Sequence, residues 1–243
     1  FTSTDIKNKA RKYGPDIAAK NTWTARAKTV QNKLVNENRS ILCKPYTKYD
    51  VIILSIIDFD FRYQRPQHFA TRFAKNGHRV FYINANHHKD NSVNQISENL
   101  FIVNLKNDKF SAIHLTDWSS NMDNLKLLLD NILYRYCIRD AITVVEYPNW
   151  LHAAEYLRHR YGFKIITDYM DDFTGFLNPE EKLVSKNCKE LLMKSDMIIA
   201  SSQFLYDIAL QYNNKAAIVR NGAEYEHFNK AFGKKIAKDK KII

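Results

Sequence analysis

The sequence predicts an α/β fold built on a doubly wound, mainly parallel sheet of about seven strands, preceded by a helical extension. Two observations carry this reading. Short runs such as Val51–Ile57 and Ala141–Glu146 are continuously apolar and rich in β-branched residues, the mark of strands buried on both faces. Segments with apolar residues at helical spacing lie between such runs, and this regular alternation points to βαβ units around a parallel sheet.

The clearest unit runs from Tyr49 to Ile83. The strand Val51–Ile57 stops at Asp58, and a polar, aromatic loop follows. Pro66 stands where a helix would begin, because its missing N–H is spare there. Phe69, Ala70, Phe73 and Ala74 form one apolar helix face, Gly77 closes it, and His78–Ile83 is the next strand. Residues 84–99 are polar and asparagine-rich and read as a loop, and Leu100–Leu105 is a strand. A helix is marked by Trp118, Met122, Leu125, Leu129, Ile132 and Tyr136. The strand Ala141–Glu146, a helix from Trp150 to Tyr161 closed by Gly162, and the strand Phe163–Thr167 come next. Asn178 and Pro179 cap a helix running to about Lys194, Glu180 and Glu181 favouring its N-terminal dipole. Met197–Ala200, a helix capped by Ser201 or Ser202, and Ala216–Val219 complete the series.

Charge divides the chain into three parts. The net charge is +11, but residues 1–50 hold eleven Lys/Arg against four Asp/Glu, and 230–243 hold six Lys against one Asp. Residues 51–229 hold twenty basic and twenty-one acidic side chains. The domain itself is therefore near neutral, which argues against a nucleic-acid partner, since a phosphate-tracking groove needs basic residues on the domain. Expected boundaries are 1–48 (helical extension and linker), 49–229 (the α/β domain) and 230–243 (a basic linker). In the extension, Trp23, Ala27, Val30 and Leu34 share one helix face. That helix either packs on the domain's flank or is the tail of a preceding domain. Cys43, Cys137 and Cys188 are odd in number, far apart and without a CxxC pair. No disulfide framework or zinc site follows, and a reducing cytoplasm is expected. The basic ends leave peripheral association at the inner face of a membrane open.

Polar residues gather after the carboxyl ends of the expected strands, and in a doubly wound sheet those ends share one edge, where ligands bind. The site expected on this ground comprises Asp58, Arg62, Tyr63, Gln64, Arg65, Tyr147, Asn149, Tyr169, Asp171, Asp172, Asn221 and Gly222. Asp168, Asp171 and Asp172 place three carboxylates within five residues, which repel unless bridged or solvated. Holding substrate hydroxyls, binding a metal and turning the loop remain alternative roles. The adjacent His87 and His88 point apart on regular backbone and lack a carboxylate at ligand spacing, so no metal is expected. There is no GxGxxG, no GxxxxGK[ST] and no GxSxG, and no residue stands out as catalytic.

RPQHFATRFAKNGHRVFYIN, TDYMDDFTGF, SSQFLYDIAL and VRNGAEYEHF resemble, in this order over about residues 50–229, ordered motifs of bacterial glycosyltransferases with two Rossmann-like domains, the GT-B type. The group is the large retaining, nucleotide-sugar-dependent, glycogen-synthase-like family. The chain departs in Ala223-Glu224, where valine–aspartate is usual, and in lacking the glycine-rich first loop. The resemblance implies a Rossmann-like amino-terminal domain on the acceptor side of a cleft. A carboxy-terminal donor-binding domain beyond residue 243 would complete that cleft. It further implies hexosyl transfer to a glycan or cell-surface polysaccharide, with a nucleotide sugar as donor substrate and neither cofactor nor metal. Arg62, Gln64 and Arg65 would face the cleft, and Asp171 and Asp172 would bind sugar hydroxyls. By the same resemblance Asn21–Ala27 looks like the end of a preceding transferase domain. A non-catalytic sugar-binding or assembly module of a larger synthase is the alternative.

Overall fold

In a computed structural model, the residues described are 4–5, 7–9, 12–13, 48–107, 112–115, 122–173 and 182–222. The expectations placed on the 1–48 helix, Trp118, the Asn178–Glu181 cap and the 223–243 segment lie outside them. The chain divides into two compact units, one of residues 1–47 with 129–139 and one of 48–128 with 140–243.

The larger unit is the α/β domain. Its strands are β1 (Asp50–Leu54), β2 (Val80–Ile83), β3 (Ser92–Ser97), β4 (Leu100–Asn104), β5 (Ala141–Val145), β6 (Lys164–Tyr169), β7 (Met197–Ala200) and β8 (Ala216–Ile218). They form one sheet in the order β3-β4-β2-β1-β5-β6-β7-β8. Every pairing is parallel except β3 with β4. The helices are α1 (Arg65–Lys75), α2 (Met122–Arg135), α3 (Leu151–Tyr161), α4 (Lys182–Lys194) and α5 (Gln203–Leu210). Strand order runs one way from β1 to β2 and the other way from β1 to β5, so the topological switch point lies between the carboxyl ends of β1 and β5.

The continuous apolar runs do what such runs predict. All five residues of β1 and all four of β2 are buried. Val51, Ile53, Val80, Tyr82, Leu100, Ile102 and Val144 form a core with Ala70 and Ala74 of α1. The alternate residues Phe81 and Phe101 stack at 4.9 Å. Gly77 at φ 86° and Gly162 at φ 77° follow α1 and α3 in the left-handed conformation that closes helices. Ser202 is the cap of α5, its Oγ accepting from the Leu205 N–H at 3.2 Å.

Two expectations need correction. Residues 84–99 are not a plain loop but contain β3, an exposed edge strand paired antiparallel with β4. Its sequence SVNQIS lacks a clear apolar alternation, so backbone pairing rather than burial of a face defines it. In the smaller unit, Cys137 is disulfide-bonded, against the expectation from spacing. Cysteine spacing registers only local pairs, and no CxxC was there to register. Cys137 also takes φ 49° where α2 ends, its N–H donating to the Tyr134 carbonyl at 3.2 Å.

Candidate functional site

The loop after β1 is held rigidly. Ser55 Oγ donates to the Ile83 carbonyl at 2.5 Å, Trp150 Nε1 to the Ser55 carbonyl at 2.8 Å, and Tyr82 Oη to the Ile57 carbonyl at 2.7 Å. The Arg65-Pro66-Gln67 start of α1 divides its labour. Pro66 occupies the first turn. Gln67, fully buried, accepts from the Gln64 N–H at 3.0 Å and donates back to the Asp58 carbonyl at 3.0 Å. It therefore locks the loop onto the helix, as in a capping box.

Arg65 reaches across the carboxyl edge. Its Nε lies 2.9 Å from both Asp168 oxygens, and its Nη1 donates to the Val219 carbonyl at 2.7 Å and Asn221 Oδ1 at 3.3 Å. The Phe69 ring lies 4.5 Å from the guanidinium. The Arg65 side chain is 7% exposed and that of Asp168 0%. Burial pushes the Asp168 carboxyl up, and Arg65 pulls it back down. Arg65 thus ties the start of α1 to the exits of β6 and β8, while its buried Nη2, 2.9 Å from Asp168 Oδ1 in the ion pair, makes no hydrogen bond among the described residues.

Beneath this pair lies Glu146, at the end of β5 and 1% exposed. Oε2 accepts the Ile56 N–H at 3.3 Å, whereas Oε1 has no hydrogen-bond partner among the described residues. Complete burial drives its pKa well above the ordinary carboxylate value, and the nearby Asp168 charge pushes the same way. Asp168 holds the ion pair with Arg65, whereas the Glu146 carboxyl has only the Ile56 N–H as a hydrogen-bond partner among the described residues.

Above them opens a cleft of about 630 Å³, lined by Tyr63, Gln64, Arg65, Asp171, Asn221 and Gly222 among others. Half of the expected site residues therefore converge. Ile56, Ile57, His68, Phe69, Arg72, Met170 and Arg220 also line it. The remaining expected residues lie elsewhere. Asp58 is engaged by Asn86, accepting its N–H at 2.8 Å and its Nδ2 at 2.7 Å. Arg62 sits 5.3 Å over the Phe61 ring. Tyr147 is buried between His114 and Phe173, with ring centroids at 4.5 and 5.4 Å. Asn149 is buried, Nδ2 donating to the Ile113 carbonyl at 3.1 Å and Oδ1 accepting from Asn187 at 3.2 Å. Tyr169 donates to Asp172 at 3.0 Å. The three clustered carboxylates are thereby separated: Asp168 on Arg65, Asp172 on Tyr169, Asp171 on the cleft wall. Among the described residues no group of three or more His, Cys, Asp or Glu is placed to hold a metal ion.

No family model matches the chain, and no curated protein matches it. Solved structures do. Over 76% of this chain and 96% of that chain, it is similar to a structure of sucrose-phosphate synthase from Thermosynechococcus elongatus covering part of that protein, at 14% identity and TM-score 0.52. A longer structure of that synthase matches at 12% identity and TM-score 0.58, over 74% of this chain and 49% of that chain. A structure described as trehalose-6-phosphate from E. coli bound with UDP-2-fluoro glucose matches at 12% identity and TM-score 0.50, over 78% of this chain and 52% of that chain. The fold is that of a Rossmann-like GT-B domain. The chain spans about half the length of the longer structures it matches. In this GT-B domain the cleft lies at the carboxyl edge, and no helix among the described residues is long and apolar enough to cross a membrane.

Sequence reasoning missed Glu146 as a site element, because a carboxyl ending an apolar strand looks like the strand's polar stop. His114 is likewise unmarked in the sequence. His114 belongs to a single 3₁₀ turn, Ile113–Leu115, between β4 and α2, and that turn carries no periodic signal.

Proposed function

We propose that this GT-B domain is the acceptor-side half of a retaining glycosyltransferase. The parent enzyme would move a hexosyl group from a nucleotide sugar to a glycan or cell-surface polysaccharide. The observation that carries the reading is the cleft at the carboxyl edge, in the fold shared with the synthases. Asp171 is an acceptor for sugar hydroxyls there, Asn221 and Gly222 form the rim beside the β8 exit, and Tyr63 offers an exposed ring for a sugar face. Asp58, Arg62, Tyr147, Asn149, Tyr169 and Asp172 lie outside the cleft lining and take no substrate role in this reading. Arg65 shapes the cleft without holding substrate charge. Transfer needs preorganised donors or cations aimed at the departing diphosphate. With Arg65 paired to Asp168, those groups come mainly from a second, donor-binding domain. Calorimetry of the 243-residue chain with nucleotide sugars tests the division: at most weak binding and no turnover are expected. Micromolar affinity, or turnover of any donor, would place the donor site in this domain and overturn it.

A further inference from the structure

A second feature of the carboxyl edge lies at the switch point itself. The turn Ile113–Leu115 crosses from the exits of β1 and β2 to that of β5. Ile113 is fully buried and fixed on both sides, its N–H donating to the Ala85 carbonyl at 2.7 Å and its carbonyl accepting from Asn149 Nδ2 at 3.1 Å. The neighbouring His114 is exposed. Its Nε2 lies 3.1 Å from the Ile56 carbonyl, and its ring stands edge-on to Tyr147 at 4.5 Å. A carbonyl only accepts, so Nε2 carries the proton and the other nitrogen, Nδ1, presents a lone pair. Partial desolvation of the ring lowers the pKa of the imidazole, against weaker opposing effects of the Ile56 carbonyl and Asp58. No partner for Nδ1 exists among the described residues.

Ligands of open α/β sheets bind in the crevice at the switch point. Ile56, whose carbonyl His114 bonds at the exit of β1, also walls the cleft. The Ile56 peptide is gripped from both ends, its N–H by Glu146 and its carbonyl by His114. An Nδ1 acceptor without a partner among the described residues, on an exposed residue, is more than a loop pin requires. We propose that His114 is a substrate-binding residue, Nδ1 accepting a hydrogen bond from a sugar hydroxyl that enters the crevice between β1 and β5. The proposal rests on the glycosyltransferase reading above.

Two variants separate binding from pinning. His114→Gln keeps a donor near the Nε2 position for the Ile56 carbonyl and removes the Nδ1 acceptor. His114→Asn places an amide oxygen near Nδ1 and gives up the Ile56 bond. In the full-length protein, kcat/KM would be measured with UDP-glucose, GDP-mannose and UDP-N-acetylglucosamine as donors, alongside melting temperature. With the donor turned over best, His114→Gln is expected to lose about tenfold in kcat/KM, the weight of one hydrogen bond, with melting unchanged. His114→Asn is expected to retain more activity than His114→Gln and to melt lower. The reverse ranking, or His114→Gln at wild-type activity, makes His114 a structural pin and overturns the assignment while leaving the transferase reading intact. No turnover of any of the three donors by the wild-type protein counts against both.

Discussion

Replacing Asp168 by Asn keeps the side-chain volume and deletes the charge that Arg65 is built around. The guanidinium, 7% exposed, would retain the Val219 carbonyl at 2.7 Å, Asn221 Oδ1 at 3.3 Å and the amide oxygen of the substituted side chain, all neutral acceptors. Removing one partner of a buried ion pair costs about 3–5 kcal/mol, because the other charge is left in a poorly solvating site. For a chain of this size each kcal/mol moves the melting temperature by roughly 2–4 °C, so a drop of about 6–20 °C is expected. Trp150, fully buried and bonded to the Ser55 carbonyl, is a suitable fluorescence reporter for urea unfolding. The double variant Arg65→Met/Asp168→Leu is expected to recover most of the loss, since apolar groups of similar volume often replace a buried pair at little cost. If Asp168→Asn unfolds within about 0.5 kcal/mol of the wild type at pH 7, the clasp reasoning is wrong and Arg65 is available to a ligand.

Four further substitutions follow from particular features. Glu146 keeps its proton in the folded chain to a higher pH than in the unfolded one, so the folded state binds more protons across that interval and stability falls as pH rises through it. Glu146→Gln should flatten this slope, by up to about 1.4 kcal/mol per pH unit, and urea melts at pH 5 and pH 8 that shift in parallel would contradict it. Gly162→Ala meets no atom within 4 Å at φ 77°, so its cost is conformational alone, about 1–2 kcal/mol in a urea melt, and an unchanged midpoint would sink the argument. Asp171→Asn should weaken acceptor binding in the full-length protein without moving the melting temperature. Asp172→Asn, which weakens the Tyr169 contact, should lower melting and spare binding; the opposite pairing would exchange their roles.

The fold was legible because burial on both faces writes itself into β1, β2 and β5 as unbroken apolar runs, and because Pro66, Gly77 and Gly162 mark helix ends through backbone chemistry. β3 was not legible, since an edge strand with a solvated face needs no apolar pattern. The site was half legible. Tyr63, Gln64, Arg65, Asp171, Asn221 and Gly222, all placed by sequence after strand ends, line one cleft. Position does not tell which way a side chain turns. Tyr147 and Asn149 turn into the protein, and Asp58 turns to Asn86. Arg65 reads from sequence as a ligand for substrate, yet its ion-pair partner, Asp168, stands 103 residues away. Long-range pairing of that kind leaves no local trace, and neither does the His114 turn.

The central claim is that this domain serves retaining transfer from a nucleotide sugar. Proton NMR of the first product formed by the full-length protein, from a nucleotide sugar of known anomeric configuration, tests it most directly. The account predicts a new glycosidic bond with the donor's anomeric configuration kept. An inverted product, or donor consumption without any transfer to a saccharide, would contradict it.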